Sequence, residues 1–161
     1  MRSREAGFSL LETVIVAAIV AVVAAFAIPC GQSMLATALL DHEAQILASD
    51  LRFLQSISRT ATCDSRGMNI PAEPGLGSGP KMQINAKGYS IKAGDSTLLR
   101  EHEVPPEIRI VTRNMESVSF GVNGNPMAAK MGSVFLYWKG NVNWKRRVVL
   151  DSVGRIRVDY E

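Results

Sequence analysis

From Val14 to Ile28 no residue is polar. Counted back over Phe8, Leu10 and Leu11, the apolar stretch is about twenty residues, the length of helix that crosses a bilayer at about 1.5 Å per residue. Such a run cannot lie bare in water, so it is cut off, held in lipid or covered by other protein. What remains of the 161 residues suffices for one modest domain and is too little for a two-domain enzyme. Hydrophobic residues at 47% and charged residues at 20% exclude a chain that is disordered throughout.

The net charge of +3 is local: Lys139, Lys145, Arg146, Arg147, Arg155 and Arg157 stand against Asp151, Asp159 and Glu161, so the chain before residue 139 is neutral. A basic end on a neutral body is an anion-facing patch or a solvated polar face. Cys30 and Cys63 invite a disulfide. If the helix predicted below runs between them, they lie about 50 Å apart, far beyond the ~7 Å that a bridge spans. Two unpaired thiols are the simpler reading, and a bridge between neighbouring subunits stays open. With two cysteines and the isolated His42 and His102, no protein-only zinc site is expected, and no cofactor motif is present.

Residues 1–7, Met-Arg-Ser-Arg-Glu-Ala-Gly, are polar and basic and run straight into the apolar segment, which keeps that end cytoplasmic. Two readings compete. In one, this is a conventional signal peptide with the small-residue site Ala25-Phe26-Ala27, and a soluble domain is secreted. In the other, the apolar segment is retained and only residues 1–7 are removed. Glu12 decides between them: a carboxylate costs about 2.5–3.5 kcal/mol at the centre of a membrane helix and somewhat less near its end, so a plain signal gains nothing from it. It needs a partner.

Gly7, then Phe8-Ser9-Leu10-Leu11-Glu12-Thr13, an apolar run and Pro29 resemble the leader of type IV pilins and type II secretion pseudopilins. The resemblance implies cleavage between Gly7 and Phe8 by a prepilin peptidase, N-methylation of Phe8, and a helix that stays in the membrane until the subunit enters a filament. Removing seven of 161 residues leaves 154. It also supplies the partner: the methylated amine of Phe8 in one subunit lies against Glu12 of a neighbour, and a buried charge is tolerable when an opposite charge meets it.

Pro29 lacks the backbone donor and Gly31 disfavours helix, so a kink is predicted at these two positions. The helix then resumes, with Leu35, Leu39, Ile46, Leu47, Leu51, Leu54, Ile57 and Ala61 as an apolar stripe and Asp41, Glu43, Asp50, Arg52 and Arg59 on other faces. Residues 71–80, rich in Pro and Gly, read as a loop. Strands are predicted at 81–85, 88–92, 97–101, 108–112, 117–120, 133–138, 145–151 and 155–160, with turns at Ala86-Lys87-Gly88 and Asn123-Gly124-Asn125-Pro126. The expected fold class is α+β, a long kinked N-terminal helix packed on an antiparallel sheet or a pair of sheets. The divisions are a leader over 1–7, a transmembrane and assembly helix over 8–29, an amphipathic helix over 30–62 and a β-rich globular domain over 63–161.

Catalytic chemistry finds little support. His42-Glu43-Ala44-Gln45-Ile46 opens like a zinc-protease helix but has Ile46 where the second ligand belongs. His102 between Glu101 and Glu103 has no nucleophile beside it and reads as an exposed strand end. Gly75-Leu76-Gly77-Ser78-Gly79 is followed by no Lys-Ser/Thr pair and no receiving helix. No enzyme is expected.

Residues 120–126, Gly132-Ser133-Val134-Phe135-Leu136, Arg147-Val148-Val149-Leu150 and Gly154-Arg155-Ile156-Arg157-Val158, in that order, resemble the globular domain of the GspH/FimT family of minor pilins. Residues 67–107 match nothing in that pattern. In FimT members a Gly-Arg-x-Arg segment is associated with DNA binding during natural transformation, and Gly154 to Arg157 has that spacing. Alternation puts Arg155, Arg157 and Asp159 on one strand face and Ile156, Val158 and Tyr160 on the other, and Lys145 shares a face with Arg147. Such a row touches phosphates without reading bases, or else is a charged edge that discourages aggregation. Trp138, Trp144 and Tyr137 stack on unpaired bases or pack in the core.

The resemblances imply a structural subunit of a type II secretion pseudopilus or type IV pilus, in the bacterial inner membrane with its N-terminus cytoplasmic and its domain outside, and then in a filament. Prepilin peptidase, other pilin subunits and an inner-membrane assembly platform are the implied partners. The alternative is a DNA-binding minor pilin of an uptake pilus.

Overall fold

The computed structural model describes residues 10–60, 80–93, 97–121, 123–127, 131–138 and 141–160. Among these described residues one helix, α1 (Leu10–Thr60), is followed by eight strands: β1 (Lys81–Asn85), β2 (Gly88–Ala93), β3 (Thr97–Glu103), β4 (Ile108–Arg113), β5 (Ser117–Ser119), β6 (Gly132–Trp138), β7 (Asn141–Leu150) and β8 (Ile156–Asp159). All form two antiparallel sheets of four, in the orders β3-β2-β1-β5 and β4-β6-β7-β8. The fold class is therefore α+β, a long helix with a two-sheet domain.

The chain divides into two compact units at Thr37/Ala38. In the first, every described side chain from Leu10 to Ile28 is exposed, Leu10, Val14, Ile19, Val23 and Phe26 among them. This stretch is long and apolar enough to cross a membrane. The helix continues through 29–31. Over residues 30–60 the predicted helix at 30–62 is thus part of the same element as the apolar segment, and residues 61 and 62 lie outside the described residues.

The second unit holds the rest of α1 and both sheets. Leu40, Ala44, Leu47, Ala48, Leu51 and Leu54 recur at helical spacing and are buried with Met82, Ile84, Tyr89 and Ile91 of the first sheet and Ile108, Ile110, Val134, Leu136, Val148 and Leu150 of the second. Period-two alternation aims these strand residues at one core, and register confirms it: Met82 lies opposite Ile91, Ile110 opposite Leu136, Val134 opposite Val148.

The apolar stripe on α1 differs from the sequence reading. Leu47, Leu51 and Leu54 are core residues as expected, Leu39, Ile46 and Ile57 are partly buried against it, and Leu35 is exposed. Glu43 and Asp50, assigned to other faces, are turned inward and buried. They are tolerated because the first sheet brings an imidazole, a guanidinium and a phenol to them: Nε2 of His102 lies 2.7 Å from Oε2 of Glu43, Arg100 pairs with Asp50, and the Tyr89 hydroxyl donates to Asp50 Oδ2 across 2.8 Å. His102 is accordingly half-buried and tilted against the Tyr89 ring at 5.3 Å, where an exposed strand end was expected.

At the C-terminal end of α1 the amide nitrogen of Gln55 donates to the carbonyls of both Gly124 and Gly154, at 2.7 and 3.0 Å. Both glycines have φ of 78°, and a Cβ on Gly154 would strike the Gly124 carbonyl. The predicted turn at 123–126 is closed by Gly124 N–H to Gly121 O and Gly121 N–H to Asn125 O, both 2.8 Å. The predicted strands all occur, with ends shifted by a few residues, most at β7, which begins at Asn141 where Lys145 was expected.

Candidate functional site

Two regions gather the residues singled out from sequence. The first is the apolar half of α1. Glu12 lies in its first turn and is exposed, the sole charged residue between Leu10 and Ile28. Among the described residues no cation pairs with it within this chain. The Thr13 hydroxyl donates to the carbonyl of Leu10 at 2.8 Å, which satisfies its polar atom inside the helix. An acid in a bare apolar surface is costly in lipid unless a positive charge meets it. Gly7 and Phe8, the predicted cleavage pair, lie outside the described residues, as do Cys63 and the glycines of residues 75–79. Cys30 carries a free, exposed thiol. Pro29 and Gly31 both sit within the helix.

The second region is the outer face of the β4-β6-β7-β8 sheet. Residues directly opposite in antiparallel strands project from the same face, so the register defines its rows. One row is Arg113, Ser133, Val149, Arg157; the next is Val111, Phe135, Arg147, Asp159; the third is Arg109, Tyr137, Lys145. Arg109, Arg113 and Arg157 are exposed, and Lys145 and Arg147 are half-buried. Arg155, also exposed, immediately precedes β8, and its carbonyl accepts from the Asp151 N–H at 3.0 Å. The two segments named from sequence thus share one face, and β4 adds Arg109 and Arg113 to it.

Arg147 is held in place. Its Nε and one terminal nitrogen each donate to Ser133 Oγ at 3.1 Å, and its guanidinium lies 5.5 Å from the Phe135 ring centre. Phe135 and Tyr137 stack with centres 6.1 Å apart and planes 21° apart. Trp138 and Trp144 instead pack against the core. Arg146 points inward between Asp41, with which it pairs, and the Tyr160 ring at 5.3 Å. Of the cationic run 145–147, alternation therefore gives two residues to the outer face and one to the helix interface.

The sequence reading missed Arg109, Arg113 and Phe135. Ile108 to Arg113 shows the alternation that puts both arginines on the polar side of β4, but nothing in one sequence says that β4 pairs with β6 and not with β5, its neighbour in the chain.

The described residues thus combine an exposed apolar half of a helix, a lone acid near its start and a two-sheet domain. Residues 2–28 match the family described as the prokaryotic N-terminal methylation motif, so the leader resemblance drawn from Gly7 to Thr13 is borne out. The structure is similar to two crystal structures of the type IV minor pilin FimU from Pseudomonas aeruginosa strain PAO1. Both are 18% identical in sequence. The form in space group P21 aligns over 74% of this chain and 90% of that one with a TM-score of 0.49, and the P65 form over 71% and 91% with a TM-score of 0.48. No curated protein matches the chain.

Proposed function

We propose that this protein is a minor pilin or pseudopilin, a structural subunit inserted in the inner membrane, cut by a prepilin peptidase between Gly7 and Phe8, and drawn by an assembly platform into a filament with other pilin subunits. The observation that carries the reading is the first half of α1: exposed apolar side chains, one acid in the first turn with no partner among the described residues, and a methylation motif over the same residues. Lipid covers such a helix before assembly and neighbouring helices cover it afterwards. Phe8 and Glu12 form the assembly pair, the methylated amine of one subunit meeting the carboxylate of the next. Pro29 and Gly31 weaken the helix between the buried filament core and the domain.

The test is Glu12→Ala against Glu12→Gln in cells carrying the machine. Both variants insert and are cut, and neither enters filaments at the wild-type level. Unchanged incorporation of Glu12→Ala sinks the charge-pairing role.

A second reading has an observation of its own, the shared face of Lys145, Arg147 and Arg157 with Arg109, Arg113 and nearby Arg155. In that reading the protein is a minor pilin of a DNA-uptake pilus, and the face holds phosphates without reading sequence.

A further inference from the structure

The cations of the outer sheet face do not stand alone. Phe135 and Tyr137 occupy the β6 column, between Arg109 and Arg113 on β4 and Lys145 and Arg147 on β7. Neighbouring strands are about 4.8 Å apart, so each cation column lies one strand spacing from the rings and the two columns are roughly 10 Å apart. Along β7, Lys145 and Arg147 are two residues apart, about 6.7 Å, a distance that successive phosphates of an extended single strand also span. Asp159, opposite Arg147, is the one acid in the three rows.

We propose that Phe135 and Tyr137 are a stacking platform for the unpaired bases of a single-stranded nucleic acid, with the flanking cations on its phosphates. The proposal rests on the DNA-binding reading and narrows its ligand. Two features favour a single strand over a duplex. Both rings are half-exposed and stacked on each other, with the Arg147 guanidinium over Phe135, and an unpaired base can extend that stack where paired bases, already stacked on each other, cannot. The face is that of a four-stranded antiparallel sheet, and among the described residues no helix lies on it to enter a major groove. An acidic polysaccharide would engage the same cations but has no planar ring system to stack. Trp138 and Trp144, the larger aromatic side chains nearby, are taken by the core, so the stacking falls to the pair on the outer face.

The experiment uses the full chain in detergent micelles and four probes at one salt concentration: oligothymidylate of about twelve nucleotides, the abasic deoxyribose-phosphate of the same length, a duplex of the same length, and heparin. Oligothymidylate binds roughly tenfold or more tighter than the abasic strand, since stacking acts on each base laid on a ring. Changing Phe135 and Tyr137 together to Leu removes that preference and leaves the dependence on salt unchanged. Phe135→Trp with Tyr137→Trp restores it, which separates a lost platform from a lost fold. Equal binding of oligothymidylate and the abasic strand overturns the stacking platform while the phosphate-binding reading stands. Preference retained by the double Leu variant overturns it as well. Absence of salt-dependent binding to all four probes overturns both.

Discussion

The hydroxyl of Tyr89 on β2 donates to the Asp50 carboxylate on α1 across 2.8 Å, and both side chains are buried. With Arg100 on the same carboxylate and His102 on Glu43, this is how two acids on the core side of a helix are accommodated. Tyr89→Phe leaves Asp50 with Arg100 alone, and the expected loss of stability is about 1–2 kcal/mol in denaturant unfolding of the micelle-held protein. Burial, and then the bond to Asp50, raise the Tyr89 phenol far above its ordinary value of 10.0. The folded protein keeps this proton when the unfolded chain releases it, so the stabilisation is complete below pH 10 and falls as pH rises beyond that. Wild type should lose stability above this point by up to about 1.4 kcal/mol per pH unit more than Tyr89→Phe. Parallel pH curves for the two proteins would show that the phenol does not stay protonated in the fold.

Gly154 joins the C-terminal turn to the end of α1. Its φ of 78° disfavours any Cβ, and the added methyl would meet the Gly124 carbonyl that Gln55 also holds. Gly154→Ala should lower stability by at least 1–2 kcal/mol, roughly the strain of the left-handed conformation alone. Gly31→Ala, where nothing lies within 4 Å of the new methyl, should not lower it. Thermal unfolding of the two variants side by side checks this. Equal midpoints would mean that the turn shifts without cost.

The strands and the helix were legible because their signals are local: Met82 and Ile84, or Val134 and Leu136, alternate with polar neighbours, and α1 has apolar residues at helical spacing. The inward turn of Glu43 and Asp50 was not legible, since a lone acid on a helix reads as solvated until its partner is known. The partners sit on β2 and β3, some 40 to 60 positions away. The cationic face was half visible for the same reason. Alternation assigned Lys145, Arg147, Arg155 and Arg157 within their own strands, whereas the juxtaposition with Arg109 and Arg113 depends on a strand order that no single sequence states.

If the outer sheet face binds DNA through phosphates, changing Arg155 and Arg157 together to Ala should reduce the slope of log affinity against log salt by about 1.4–1.8 units, for a single strand and a duplex respectively. Both side chains are exposed, so the fold should be retained. The measurement is a salt titration of labelled DNA with the full chain in micelles. An unchanged slope would place the phosphates elsewhere, with Arg109, Arg113, Lys145 and Arg147 the next residues to change.

The central claim, a retained assembly helix with a cut and methylated start, is tested most directly by the intact mass of the protein extracted from membranes of cells with an active prepilin peptidase. The account predicts 154 residues beginning at Phe8, with one added methyl group on its amine, the seven leader residues having been removed from 161. Gly7→Ala should leave the uncut chain in the membrane. A mature protein that begins at Cys30 or nearby and is found free of the membrane would contradict the account and establish a secreted domain released by a conventional signal peptidase.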